Sequence, residues 1–108
     1  MSGFGIYDLA AIIKERASAD ADISYTRKLL DKGAAHCARK MGEEAVETII
    51  ATLEGSSEQF IGECADLIYH FLVLLEAKKV TLTDIENELA KRTKQSGLDE
   101  KAARTKDK

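Results

Sequence analysis

Apolar positions recur at the spacing of helical turns in five successive stretches of this chain. The first covers residues 6–18, where Ile6, Leu9, Ile12 and Ile13 share a face. Asp20, Asp22 and Ser24 punctuate a loop, and Ser24 is placed to cap a short helix through Leu29 and Leu30 that Gly33 ends. A long helix is predicted from about Ala34 to Leu53, with Ala38, Met41, Gly42, Ala45, Ile49 and Leu53 as its inner stripe. At about 100° per residue, His36, Lys40, Glu43, Glu44 and Glu47 fall on the opposite side. Gly55 closes it, and Ser56 with Gln59 makes a capping box for a helix from about Ser57 to Lys78. Beyond Asp66 that helix is apolar nearly all round, and Gln59, Glu63, Asp66 and His70 form its only polar stripe. A helix without a polar face must be covered on most sides. Cover from a second copy in a two-fold homodimer is therefore expected. Thr81 and Asp84 make another capping box, for a helix to about Lys94 with Leu82, Ile85 and Leu89 inward. The predicted architecture is all-α, an antiparallel helix bundle completed by dimerisation.

Composition narrows this without changing it. The 108 residues suit one domain, set at residues 1–95, with 96–108 as a charged, flexible tail. Proline and tryptophan are absent, and Ala, Leu, Ile, Glu and Lys favour helix. Cys37 and Cys64 lack the spacing of a disulfide framework or a zinc site, so both are expected to be free packing residues. The N-terminus shows no signal-peptide pattern, and the longest apolar run, Leu67 to Leu75, is too short to span a bilayer and contains His70. A soluble, cytoplasmic protein with no membrane or nucleic-acid partner is expected, although a net charge of −3 decides nothing about nucleic acid by itself.

The order of the charges says more than their sum. Five basic residues (Arg27, Lys28, Lys32, Arg39, Lys40) and one acid lie between positions 27 and 40, whereas positions 43–66 carry seven acids and no Lys or Arg. Such abutting blocks suit a metal together with an anionic ligand, or simply two oppositely charged surface helices. Glu44 with Glu47, and Glu63 with Asp66, are pairs three residues apart, one turn above the other on a helix face. Desolvating Glu63 and Asp66 on a largely apolar helix costs several kcal/mol each unless cations compensate. A divalent ion among Glu44, Glu47, Glu63 and Asp66 is the economical answer; salt bridges from Arg27, Arg39 or Lys40 are the other. All-oxygen ligation favours Mg²⁺ or Mn²⁺, and neither His36 nor His70 follows an acid by three positions as di-iron bundles require. His70 reads as a core histidine hydrogen-bonded across a helix interface.

The run Gly42-Glu43-Glu44-Ala45-Val46-Glu47, followed by Glu63-Cys64-Ala65-Asp66-Leu67-Ile68-Tyr69-His70, resembles the all-α nucleoside-triphosphate pyrophosphohydrolases of the MazG-like superfamily. With Ser24-Tyr25-Thr26, Lys28-Leu29-Leu30 and Gly33, the similarity is greatest to the phosphoribosyl-ATP pyrophosphohydrolases, over residues 5–95. Met41 and Cys64 depart from the pattern as packing changes only. The resemblance implies hydrolysis of phosphoribosyl-ATP to phosphoribosyl-AMP and pyrophosphate, the second step of histidine biosynthesis, with Mg²⁺ on Glu44, Glu47, Glu63 and Asp66. It leaves Glu43 to orient water, bind a further ion or pair with a basic residue, and makes Lys28, Lys32, Arg39 and Lys40 candidates for the substrate's phosphates. Two other readings share these residues: a housekeeping (d)NTP pyrophosphatase with the same metal site, and a non-enzymatic helical interaction module whose acids are surface charge.

Overall fold

A computed structural model describes residues 3–22 and 24–94, and every regular element among them is a helix. They are α1 (Ile6–Arg16), α2 (Tyr25–Asp31), α3 (Ala34–Glu54), α4 (Ser57–Lys78) and α5 (Leu82–Thr93). The expected flexible tail, 96–108, lies outside the described residues. None of the described helices is long and apolar enough to cross a membrane.

Local chemistry sets the helix ends. Ser24 Oγ accepts the Arg27 N–H at 3.1 Å, which starts α2. Gly33, at φ +97°, turns the chain from α2 into α3 with backbone that a side chain would strain. Ser56 and Gln59 exchange side-chain and backbone hydrogen bonds at 3.0 and 3.2 Å to start α4, and Thr81 and Asp84 do the same for α5 at 2.9 and 3.0 Å. Each such cap stabilises by about 1 kcal/mol.

With only Gly55 and Ser56 between them, α3 and α4 form an antiparallel hairpin packed along its length. Helices α1 and α2 lie against the second half of α4. Ile13, Leu29, Cys37, Leu72 and Val73 make the buried core there, with Leu9, Leu30, Phe71, Leu75 and Leu82 packed around it. In the apolar second half of α4, Leu72 and Val73 are buried within the chain, Leu67, Phe71, Leu74 and Leu75 are half-buried, and Ile68 is exposed. The fifth helix is held to the body by Leu82 and by the Tyr7 hydroxyl, which meets Thr83 Oγ1 at 3.3 Å and Glu86. Of its predicted inward residues, Leu82 and Ile85 are half-buried and Leu89 is exposed.

The inner stripe of α3 differs from the prediction. Ala38, Gly42, Ile49 and Leu53 are exposed, Leu53 by 80 %. The protected side runs instead through Cys37, Met41, Glu44, Thr48 and Ala51, at alternating steps of four and three. Apolar periodicity locates a helix's buried face when the partner surface is apolar. Here α3 meets α4 through small and polar side chains, and its richest apolar face points away from its own chain.

One buried polar link ties α2 to α4. Thr26, 1 % exposed, shares a 2.6 Å hydrogen bond with the Tyr69 hydroxyl. Thr26→Val is expected to cost about 1–3 kcal/mol in urea unfolding, because it strands the Tyr69 hydroxyl. Adding Tyr69→Phe should recover part of that loss; a Thr26→Val protein as stable as the parent would contradict the role.

Candidate functional site

Midway along the hairpin, the protected side of α3 meets the polar stripe of α4. Glu44 and Glu63, both half-buried, and the exposed Asp66 bring one carboxylate oxygen each to within 4.8 Å of one another. They are the one group of three or more potential metal ligands among the described residues. Glu47 lies one turn along α3 and lines, with Glu54, Gln59, Glu63 and Asp66, an open cleft of about 680 Å³ between the two helices. Thr48 fixes the helices against each other at this level: its hydroxyl lies 2.8 Å from the Glu44 carbonyl and 3.3 Å from the Glu63 carbonyl. The separation of the acids is thereby set by backbone and not by the flexible side chains alone.

Electrostatically the cluster is strained. Partial burial raises the Glu44 carboxyl above its usual range, and the negative charges of Glu47, Asp66 and Glu63 push it in the same direction. Lys40 opposes this only as the weakest contribution. The basic residues that could have neutralised the acids are engaged elsewhere. Arg27 pairs with Asp31 at 2.8 Å, and Arg39 and Lys40 pair with Glu43 at 3.8 and 3.1 Å. Glu43 is accordingly held below the usual carboxylate range, first by its hydrogen bond to Lys40. Of its three expected roles, pairing with a basic residue is the one seen, and it stands outside the convergent group. Unneutralised hard oxygens at this separation fit a divalent cation such as Mg²⁺.

Beside the acids lies a second, basic feature. Tyr25, Lys28, Lys32, His36 and Lys40 line a groove of about 430 Å³ between α2 and α3. Arg39 is not part of it; its guanidinium lies 3.3 Å from His36 Nδ1 on the outer side. His70 is buried, stacked edge-on by Tyr25 and Tyr69, and its Nδ1 finds no hydrogen-bond partner. The hydrogen bond across a helix interface that the sequence suggested for it is not made.

A profile of the phosphoribosyl-ATP pyrophosphohydrolases matches residues 6–93. The chain belongs to this family. Its relatives include the phosphoribosyl-ATP pyrophosphatase of Nitrobacter winogradskyi, 64 % identical over 107 residues (99 % of this chain, 92 % of that one). That of Nitrobacter hamburgensis is 60 % identical over 107 residues, covering 99 % of this chain and all of that one. Phosphoribosyl-ATP pyrophosphatase 1 of Bradyrhizobium diazoefficiens is 59 % identical over 104 residues, 96 % of this chain and 98 % of that one.

The role of Thr48 at the site of this pyrophosphohydrolase, and the pairing of Thr26 with Tyr69, were not picked out from sequence. Thr48 gave no signal beyond its four-residue step from Glu44. Thr26 and Tyr69 are 43 residues apart, and nothing local pairs them.

The crowding at Glu44 has a measurable consequence. A carboxyl whose folded pKa lies above its unfolded value opposes folding once both states are ionised, and that penalty disappears as pH falls below the unfolded value. In metal-free buffer, Glu44→Gln is therefore expected to melt above the parent near pH 8, with the two converging as pH is lowered into the carboxylate range. A lower melting temperature for the variant at pH 8 would contradict the crowding.

Proposed function

We propose that this chain hydrolyses phosphoribosyl-ATP to phosphoribosyl-AMP and pyrophosphate, the second step of histidine biosynthesis, in the cytoplasm. The observation that carries the reading is the convergence of Glu44, Glu63 and Asp66 in a member of this family, with no protein cation paired to them among the described residues. Glu44, Glu63 and Asp66, with Glu47 beside them, are the residues that would hold Mg²⁺, or Mn²⁺ in its place. When bound, the ion supplies positive charge to the triphosphate oxygens and to the leaving pyrophosphate.

The chain's own residues account for the rest. Glu47, Glu54, Glu63 and Asp66 line the cleft and repel a bare triphosphate, so the site discriminates against nucleotide that arrives without a divalent cation. Thr48 holds the two carboxylate-bearing helices in register, which places the ligands before substrate binds. Lys40, shared with Glu43 at the edge of the cluster, can turn one of its three N–H donors to a phosphate oxygen while keeping its acid partner. A (d)NTP pyrophosphatase would use the same cleft, and the names of the relatives favour the phosphoribosylated substrate.

Asp66→Asn and Glu63→Gln are each expected to lower pyrophosphate release from phosphoribosyl-ATP by more than about 100-fold with helical content retained. In the parent, Mg²⁺ should raise the melting temperature beyond a matched salt control, and EDTA should abolish turnover. Near-normal turnover in both variants, or preference for dCTP or dUTP in a substrate panel, would refute the assignment.

A homodimer completes the proposal. Val46, Ile49, Ile50 and Leu53 of α3, with Phe60 and Ile61 of α4, are exposed on the single chain. A surface this apolar is unusual unless it is an interface. The protein is expected to sediment near twice the 11.9 kDa of one chain. Ile49→Glu with Leu53→Glu should shift it to monomer; a monomeric parent would rule the dimer out.

A further inference from the structure

The cations beside the acid cluster do not form one set. Arg39 and Lys40 share Glu43, and Arg27 takes Asp31, the one acid lining the basic groove. Lys28 and Lys32 are left, both exposed, both on the groove, and neither in an ion pair with any described residue. His36, on the same wall, is pushed below its usual pKa first by partial burial and then by Lys32, Arg39 and Lys40. The groove thus carries uncompensated positive charge, the complement of the cleft.

The two features adjoin. Lys40 lines the groove and acts electrostatically on Glu44. Tyr25, also on the groove, meets the ring of His70 edge-on at 6.3 Å, and His70 stands one turn beyond Asp66 on α4. A ligand spanning both would therefore cross Lys40 and Tyr25. Phosphoribosyl-ATP has the matching form: a triphosphate at one end, a single phosphate on the added ribose at the other, and a flat base between. A metal-bearing cleft cannot tell it from ATP, because both present the same triphosphate. Selection has to come from the far end.

We propose that Lys28 and Lys32 hold the phosphate of the substrate's phosphoribosyl group and so select phosphoribosyl-ATP over ATP and other nucleoside triphosphates. The assignment rests on reading the acidic cleft as the triphosphate site. The phosphoribosyl phosphate lies against the two ammonium groups in the groove, and the base crosses the exposed face of Tyr25. Arg39 takes no part.

The test compares the two monophosphates that differ only in the phosphoribosyl group. Binding of phosphoribosyl-AMP and of AMP is measured by calorimetry in Mg²⁺ for the parent, for Lys28→Gln/Lys32→Gln and for Lys28→Arg/Lys32→Arg. Hydrolysis of phosphoribosyl-ATP by the parent is assayed in parallel. The parent should prefer phosphoribosyl-AMP, and the glutamine pair should lose that preference by at least about tenfold, as expected for charge-assisted contacts to one phosphate. The arginine pair should keep most of it. Equal weakening of both ligands, or an unchanged preference, in an enzyme that hydrolyses phosphoribosyl-ATP would overturn the subsite alone. A parent that hydrolyses none would overturn the function and the subsite together.

Discussion

Mutual repulsion among carboxylates at the α3–α4 interface is the constraint around which this small fold is arranged. Glu44, Glu63 and Asp66 approach within 4.8 Å, and Glu47 adds a fourth negative charge one turn away. Left to itself, a hairpin carrying that cluster would splay or rotate the acids into solvent. Several short-range devices oppose this. The Ser56–Gln59 capping box fixes the turn, Thr48 reaches the Glu63 carbonyl, and the apolar second half of α4 is clamped by α1 and α2. The clamp begins one turn beyond Asp66, where Thr26 and Tyr25 of α2 meet Tyr69 and His70, and its buried core lies further along α4. The core therefore supplies stability at one end of the hairpin while the cleft stays open at the other, where the packing is small and polar.

Much of this was legible in the sequence, for reasons that differ by element. The beginnings of α2, α4 and α5 were visible because Ser24, Ser56 and Thr81 cap through their own side chains, an interaction contained within four residues. Gly33 was visible because only glycine enters its backbone region without strain. The carboxylate pairs stood out because acids on a mainly apolar helix demand an explanation. The facing of α3 was misread. Its apolar side belongs outside the single chain, and the side that packs inward looks like surface: Glu44, Thr48, and the stem of Lys40. Amphipathicity reports which face avoids water in the finished assembly, and in α3 the intramolecular contact is the polar one. The Thr26–Tyr69 bond joins positions that no periodicity relates, so only the folded arrangement displays it.

The block of basic residues shows how local pairing refines a charge count. From positions 27 to 40 the sequence offers five cations and one acid, which suggests a single positive surface. Helical geometry divides it. Arg27 lies four residues from Asp31, and Arg39 and Lys40 lie four and three from Glu43, so each has an acid within reach on its own helix. Lys28 lies three residues from Asp31, but Arg27 takes that acid; Lys28 and Lys32, four apart, are left to repel each other unless an anion lies between them. Exposed pairs of this kind contribute little stability; their effect is to decide which charges remain free for a ligand.

Helix α3 consequently has two working sides, and they are physically linked. One side holds Glu44 toward Glu63 and Asp66 and lines the cleft with Glu47 and Ile50; the other presents Val46, Ile49 and Leu53. Because Val46 and Glu47 are adjacent, α3 cannot turn to hide its outer apolar residues without carrying its acids away from Glu63 and Asp66. An apolar partner surface on the outer side would remove that tendency by covering Ile49 and Leu53 where they stand. Association and ligand placement would then draw on the same rotation of one helix. In a chain with so small a core, covering the outer face of α3 is the most direct way to keep mutually repelling acids aimed into one cleft.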